Sequence, residues 1–248
     1  MSVKIGHASI GEDGAKNNKA GDSTTKEVCT RSWYKSSWHT VLRPIDPEVA
    51  EKMAVACEAG CYNDNIGYDQ NQRNTLRTQA KAVGWDLSKI TVPCECDCSS
   101  FMTVDAECAG IDIPYNNGNA PTTSTMVSAF KSTGEFKVLQ ESKYLTSDEY
   151  LKRGDILVKS GHTVMVLENG SKSKVIETTI KAQVLQKKCK GEAVVALQSI
   201  LTGLDYYTGD LDGSFGNLTD KAVKAFQKDN GLTVDGIVGT KTWEKLLN

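Results

Sequence analysis

Apolar positions along this chain change their period twice, and the changes divide it into stretches of different predicted structure. From residue 46 to about 130 they recur at helical spacing. Asp46-Pro47-Glu48 supplies a capping carboxylate and a proline at the first helical position, and Val49, Met53, Ala56 and Cys57 follow as a buried stripe. A second helix is predicted over 71–83, stopped by Gly84. A third is predicted over 98–109, stopped by Gly110, and a fourth lies near Met126–Phe130. After Gly154 the period falls to two. The runs 155–159, 162–167 and 174–179 read as short strands, and Asn169-Gly170 reads as the turn of a hairpin between the last two. Helices first and strands later predict an α+β fold, with helices packed on a small antiparallel sheet.

The last sixty or so residues follow a different plan. Asp212-Gly-Ser-Phe-Gly216-Asn-Leu-Thr219 recurs as Asp235-Gly-Ile-Val-Gly239-Thr-Lys-Thr242. Each copy ends on a threonine suited to cap the helix that follows. With Val194, Leu197, Gln198, Ile200 and Leu201 at helical spacing ahead of them, the repeats predict a small all-α domain of three helices and two similar loops. The polar, basic stretch 181–190 separates the halves. The expected organisation is a domain over 1–180, a linker over 181–190 and a second domain over 191–248.

Composition narrows the function classes. The chain has 248 residues, 39% of them hydrophobic and 24% charged, with a formal net charge of −2. That balance gives no general attraction to nucleic acid, and no basic block compensates for it. No apolar run approaches the roughly 18 residues that span a bilayer, so membrane insertion is not expected. Met1-Ser-Val-Lys-Ile-Gly-His lacks the apolar core of a signal peptide. The expectation is therefore synthesis in the cytoplasm without the usual export route.

The candidate chemistry lies in Asp97-Cys98-Ser99-Ser100 and Gly161-His162. A thiolate is the reactive form of cysteine, and a helix N-terminus favours negative charge, so Cys98 at the predicted start of a helix is placed to be a nucleophile. His162, opening a strand far along the chain, is the matching base. A third polar group should hold the imidazole; Glu177 on the predicted partner strand is the first candidate and Asn169 the second. His7 and His39 read as surface or loop residues, Asp155 as a structural turn residue, and Trp33, Tyr34, Trp38 and Trp85 as core. Cys94 and Cys96 lie too close in sequence to Cys98 for a tetrahedral metal clamp. They are alternatively disulfide partners of Cys57, Cys61 or Cys108. No metal or cofactor is expected.

The residues Asp97-Cys-Ser-Ser-Phe101, Arg153-Gly-Asp-Ile-Leu157 and Gly161-His-Thr-Val-Met-Val-Leu167 resemble the NlpC-type cell-wall cysteine peptidases and the related CHAP hydrolases. Val194-x-x-Leu-Gln198, the paired Asp-Gly loops and Ala222-Val-x-x-Phe-Gln227 resemble the small peptidoglycan-binding domain found at the ends of wall hydrolases. The first resemblance implies a papain-like fold, Cys98 and His162 as catalytic pair, a third member at or near Glu177, and substrate contacts at Tyr68, Asp97 and Ser99. Together they imply a peptidoglycan hydrolase of the phage endolysin kind, acting on the wall of a Gram-positive host by cleaving an amide bond. Two rivals share the sequence features: a wall-anchored structural protein that has lost activity, and an amide-transferring enzyme of the same fold.

Overall fold

A computed structural model describes residues 2–9, 19–173 and 183–247. The chain divides into two compact units, 1–173 and 174–248. In the larger unit the strands are β1 (Lys4–Ala8), β2 (Val28–Ser32), β3 (Thr40–Pro44), β4 (Ile66–Tyr68), β5 (Cys94–Cys96), β6 (Phe136–Leu139), β7 (Ile156–Lys159) and β8 (His162–Val166). Its helices are α1 (Pro47–Cys61), α2 (Thr75–Ala82), α3 (Cys98–Cys108), α4 (Met126–Ser132) and α5 (Ser142–Leu145). Six strands form one antiparallel sheet in the order β2-β1-β8-β7-β3-β6, while β4 and β5 pair in parallel beside it.

Three of these strands precede every helix, which corrects the expectation of helices first. β1 changes the most. It pairs with β8 on the edge where a hairpin partner of β8 would sit, with Ile5 opposite Val166 and Gly6 opposite Met165. Both edges of β8 are thus taken, by β1 and β7. Asn169-Gly170 makes no hairpin turn: Asn169 Oδ1 accepts the Arg153 amide at 2.8 Å, the Gly170 amide bonds to Leu151 O, and helical residues 171–173 follow. The expected third strand, 174–179 with Glu177, lies outside the described residues.

The sheet is covered on both faces, so consecutive residues of its central strands, Ile156-Leu157-Val158 and Val164-Met165-Val166, are all apolar and buried, alternate ones facing opposite sides. Ala8, Leu42, Ile156, Val158, Met165 and Leu167 join the cluster under α1 and α3. Ile5, Val41, Leu157, Val164 and Val166 pack on the other side with Val3, Trp38 and Leu151. Helix α3 lies against α1, β8 and β1 and is buried on every side from Cys98 to Glu107. Close approach of β1 to α1 depends on Gly6: a Cβ there would lie 2.5 Å from Cys57 Sγ and 3.2 Å from Cys61 Sγ. All eight cysteines are free thiols, and the alternative pairing of Cys94 or Cys96 with Cys57, Cys61 or Cys108 is not formed.

The smaller unit contains α6 (Glu192–Gly203), α7 (Asn217–Asp229) and α8 (Thr240–Leu247) around a core of Leu197, Leu201, Phe215, Val223, Phe226 and Trp243. The repeat has a structural cause. Gln198, fully buried, donates to Asp212 Oδ1 at 2.8 Å and accepts from the Gly213 amide at 2.9 Å. Gln227 repeats this with Asp235 Oδ1 and the Gly236 amide, each at 2.9 Å. Thr219 and Thr242 are not caps but lie inside their helices, bonding back to Ser214 O and Ile237 O. Among the described residues no helix is long and apolar enough to cross a membrane.

Candidate functional site

Cys98 is the first residue of α3, and its turn is fixed by the residues around it. Asp97 caps the helix, accepting from the Ser99 amide at 3.0 Å and the Ser100 amide at 2.7 Å, while Ser100 Oγ accepts from the Asp97 amide at 2.8 Å. This reciprocal capping box satisfies donors that a helix start otherwise leaves open. Arg73 then locks the cap from outside. Its guanidinium reaches Asp97 Oδ2 at 2.6 Å and Oδ1 at 3.1 Å, Ser99 Oγ at 2.8 Å, Ala120 O at 2.8 Å and Pro121 O at 3.0 Å. Asp97 and Ser99, expected as substrate contacts, are thus engaged in holding the turn, and Ser99 is 2% exposed.

The cap faces the start of β8. The backbone amide of Thr163 favours the ionised form of the Cys98 sulfur, and α3 packs against β8, the strand that opens with His162. Gly161, whose amide donates to Thr123 Oγ1 at 3.3 Å, makes the positive-φ turn that presents His162. A cleft of about 350 Å³, lined by His39, Thr40, Thr123, Ser124, Gln140 and Ser160 among others, opens against this turn. Tyr68 reaches the site by another route. β4 runs parallel to β5 with Tyr68 opposite Cys96, two residues before the thiol, and Glu27 holds the Tyr68 amide at 3.0 Å.

His7 is the residue that the sequence reading missed. Expected at the surface, it is 3% exposed on β1, and its ring stands edge-on to that of His162 with centroids 5.6 Å apart. Its Nε2 lies 3.5 Å from the sulfur of Cys29, its register partner on β2, and its Nδ1 is buried without a partner. Val3-Lys-Ile-Gly-His-Ala carries a period-two signal that could have marked a strand, but nothing local reveals that this strand lies beside β8. His39 is exposed, as expected. Asp155 takes the structural role expected of it, buried and paired with Arg43 at 2.6 Å.

Ionisation departs from the simple picture of an acidified thiol. Burial, reinforced by the Asp97 carboxylate, pushes the Cys98 thiol up to about 12, and the amides of Thr163 and Ser99 together with Arg73 only partly oppose this. Burial, then Lys159 and Arg31, lowers His162 to about 4, while burial, then His162 and Arg31, lowers His7 to about 3. At neutral pH the resting site therefore holds a thiol and two uncharged imidazoles. Such a site can move a proton from sulfur to nitrogen as a carbonyl is attacked, without a standing ion pair.

Comparison with known proteins gives this geometry its context. A family model described as "Putative peptidoglycan binding domain" matches residues 190–246. The spore cortex-lytic enzyme of Bacillus cereus is 46% identical over 65 residues, which are 26% of this chain and 25% of that protein. The N-acetylmuramoyl-L-alanine amidase CwlM of Mycobacterium tuberculosis is 43% identical over 56 residues, 23% of this chain and 14% of that one. The chain thus spans about a quarter or less of the length of these curated relatives. A solved peptidoglycan-binding protein from Clostridioides difficile, in complex with glutamine hydroxamate, is 32% identical, covering 45% of this chain and 70% of that chain with a TM-score of 0.26. The family model described as "Endolysin-like domain" matches residues 5–173, most of the larger unit and more than half of the whole, and the chain belongs to that family.

Proposed function

We propose that the chain is a peptidoglycan hydrolase whose larger unit cleaves a wall amide bond through Cys98 and whose smaller unit binds the wall. The observation that supports this reading is that the capped cysteine opens α3, a helix packed against β8, the strand that begins with His162. In the proposed reaction the sulfur of Cys98 attacks the amide carbonyl while neutral His162 takes the thiol proton. The Cys98 amide, at a helix N-terminus where no intrahelical acceptor exists, is placed to donate to the developing oxyanion. His162 then returns the proton to the leaving amine, and water, deprotonated by the same imidazole, hydrolyses the thioester. We assign the third position to His7 in place of Glu177 or Asn169, because β1 brings it to the edge of the His162 ring. Asp97, Ser99 and Arg73 set the position of the nucleophile. Tyr68 stays with the substrate side. A papain-like arrangement of helix and sheet belongs to the same reading, and the wall-lytic character of the relatives' names supports it. Activity in cell-wall lysis of the phage kind, on Gram-positive walls, belongs to the same proposal.

The test compares the parent with Cys98→Ala on purified cell walls. Loss of turbidity clearance with unchanged wall sedimentation is the expected result. Clearance by Cys98→Ala at the parent's rate would overturn the assignment. Mass analysis of the digest separates hydrolysis, which leaves free termini, from amide transfer, which leaves a new crosslink.

A further inference from the structure

The larger unit contains five arginines, and four of them (Arg43, Arg73, Arg77 and Arg153) are engaged with carboxylates. Arg31 is different. Among the described residues no carboxylate lies within ion-pair reach of it, and its guanidinium instead sits 4.8 Å from the centroid of the Tyr34 ring. Lys159 has the same character. Its ammonium is 6.0 Å from the Tyr34 centroid and 5.4 Å from that of Trp38, it donates to Ser36 Oγ at 2.8 Å, and among the described residues it has no carboxylate partner. The two cations therefore share one aromatic floor. That floor adjoins the candidate site: the rings of Tyr34 and Trp38 are 5.6 Å apart, and Trp38 stands 6.5 Å from His162. Register fixes the arrangement from below, since Lys159 is the cross-strand partner of His162 and Arg31 lies opposite Ile5, two residues before His7.

An aromatic seat steadies a cation through the ring's negative face while leaving its N–H groups open to an anion. Two such cations, without a carboxylate in ion-pair reach among the described residues and beside the candidate base His162, suit a negatively charged group. We propose that Arg31 and Lys159, seated on Tyr34 and Trp38, bind a free carboxylate of the wall peptide adjacent to the amide that is cut. This deepens the hydrolase reading and rests on it. It favours cleavage within the acidic peptide stem over cleavage of the glycan–peptide amide. There is a catalytic corollary. The same two cations help hold His162 uncharged, so an arriving carboxylate would offset them and raise the imidazole's proton affinity as the thiol has to be deprotonated.

The test uses two synthetic stem peptides, one with a γ-linked glutamyl residue bearing a free α-carboxylate beside the scissile bond, the other with that carboxylate amidated. The full-length parent should prefer the free acid by about tenfold or more in kcat/KM, the scale of a charge-assisted hydrogen bond. In Arg31→Gln/Lys159→Gln that preference should fall to near unity, with Arg31→Lys intermediate. Binding of both peptides to the Cys98→Ala protein, measured by calorimetry, should show the same preference and its loss in the triple variant. Equal parent affinity for the two peptides, or a preference unchanged by the double substitution, would overturn the subsite while leaving the hydrolase reading in place. Cleavage of neither peptide, together with no lysis of walls, would instead overturn the hydrolase reading.

Discussion

Replacing Arg73 by methionine keeps the buried stem and removes all five hydrogen bonds that the guanidinium makes. What remains is the Asp97 carboxylate, only 14% exposed, together with the carbonyls of Ala120 and Pro121. Breaking a buried pair from one side costs about 3–5 kcal/mol, because the surviving charge is left in a poorly solvated place. For a unit of this size each kcal/mol lowers the melting temperature by about 2–4 °C, so the loss should be on the order of 10 °C. A second variant separates charge from packing. In Arg73→Met/Asp97→Asn the capping oxygen can still accept from the Ser99 and Ser100 amides, while the unpaired charge is gone. The double variant should therefore melt above Arg73→Met alone. The assay is thermal unfolding followed by near-ultraviolet circular dichroism at pH 7, with wall clearance measured in parallel. A loss below about 1 kcal/mol, the worth of a solvent-exposed pair, would refute the reasoning. So would strict additivity of the two substitutions, since residues in one ion pair should couple.

Alkylation of Cys98 by iodoacetamide, followed by peptide mapping, should rise about tenfold per pH unit from pH 7 to beyond pH 9, because the thiol is pushed up to about 12. A rate plateau below pH 7 would reveal a preformed thiolate and contradict the neutral resting state. Glu95 offers a second pH test. It is fully buried beside β4, and among the described residues its carboxylate oxygens have no hydrogen-bond partner; burial, then Glu27 and Asp69, pushes it up to about 8. A carboxyl raised in the folded state binds its proton more tightly there than in the unfolded chain. Its contribution is complete below the ordinary value of 4.5 and is lost as pH rises toward 8. Glu95→Gln should therefore gain in melting temperature relative to the parent as pH increases from 5 to 8, and a constant difference across that range would exclude the explanation.

Local signals made much of this molecule legible. Asp46-Pro47 marks the start of α1 and Asp97 that of α3, because a cap is a matter of adjacent residues. The repeated loops of the smaller unit were readable for the same reason, although the buried glutamines that hold them were visible only as motif positions. Two kinds of feature were not legible. The capping threonines assigned from the repeat proved internal, since each helix begins two residues before its threonine, at Asn217 and Thr240. His7, Arg73 and the cationic floor depend on contacts between residues far apart in sequence. β1 is five residues long with a glycine at its centre, too short and too irregular for periodicity to locate its partner. The edge of β8 that the sequence pattern assigns to the run 174–179 is filled instead by β1, from the other end of the chain.

That placement has a consequence for how the molecule is assembled. β1 and β2 form one small ribbon and β3, β6 and β7 another, and β8 alone joins them. During synthesis both ribbons must wait, each with an unfinished edge, until residues 162–166 arrive to zip them together. Because the same strand opens with His162, the candidate site has no precursor in a shorter nascent chain. Closure of the sheet and creation of the site are one event.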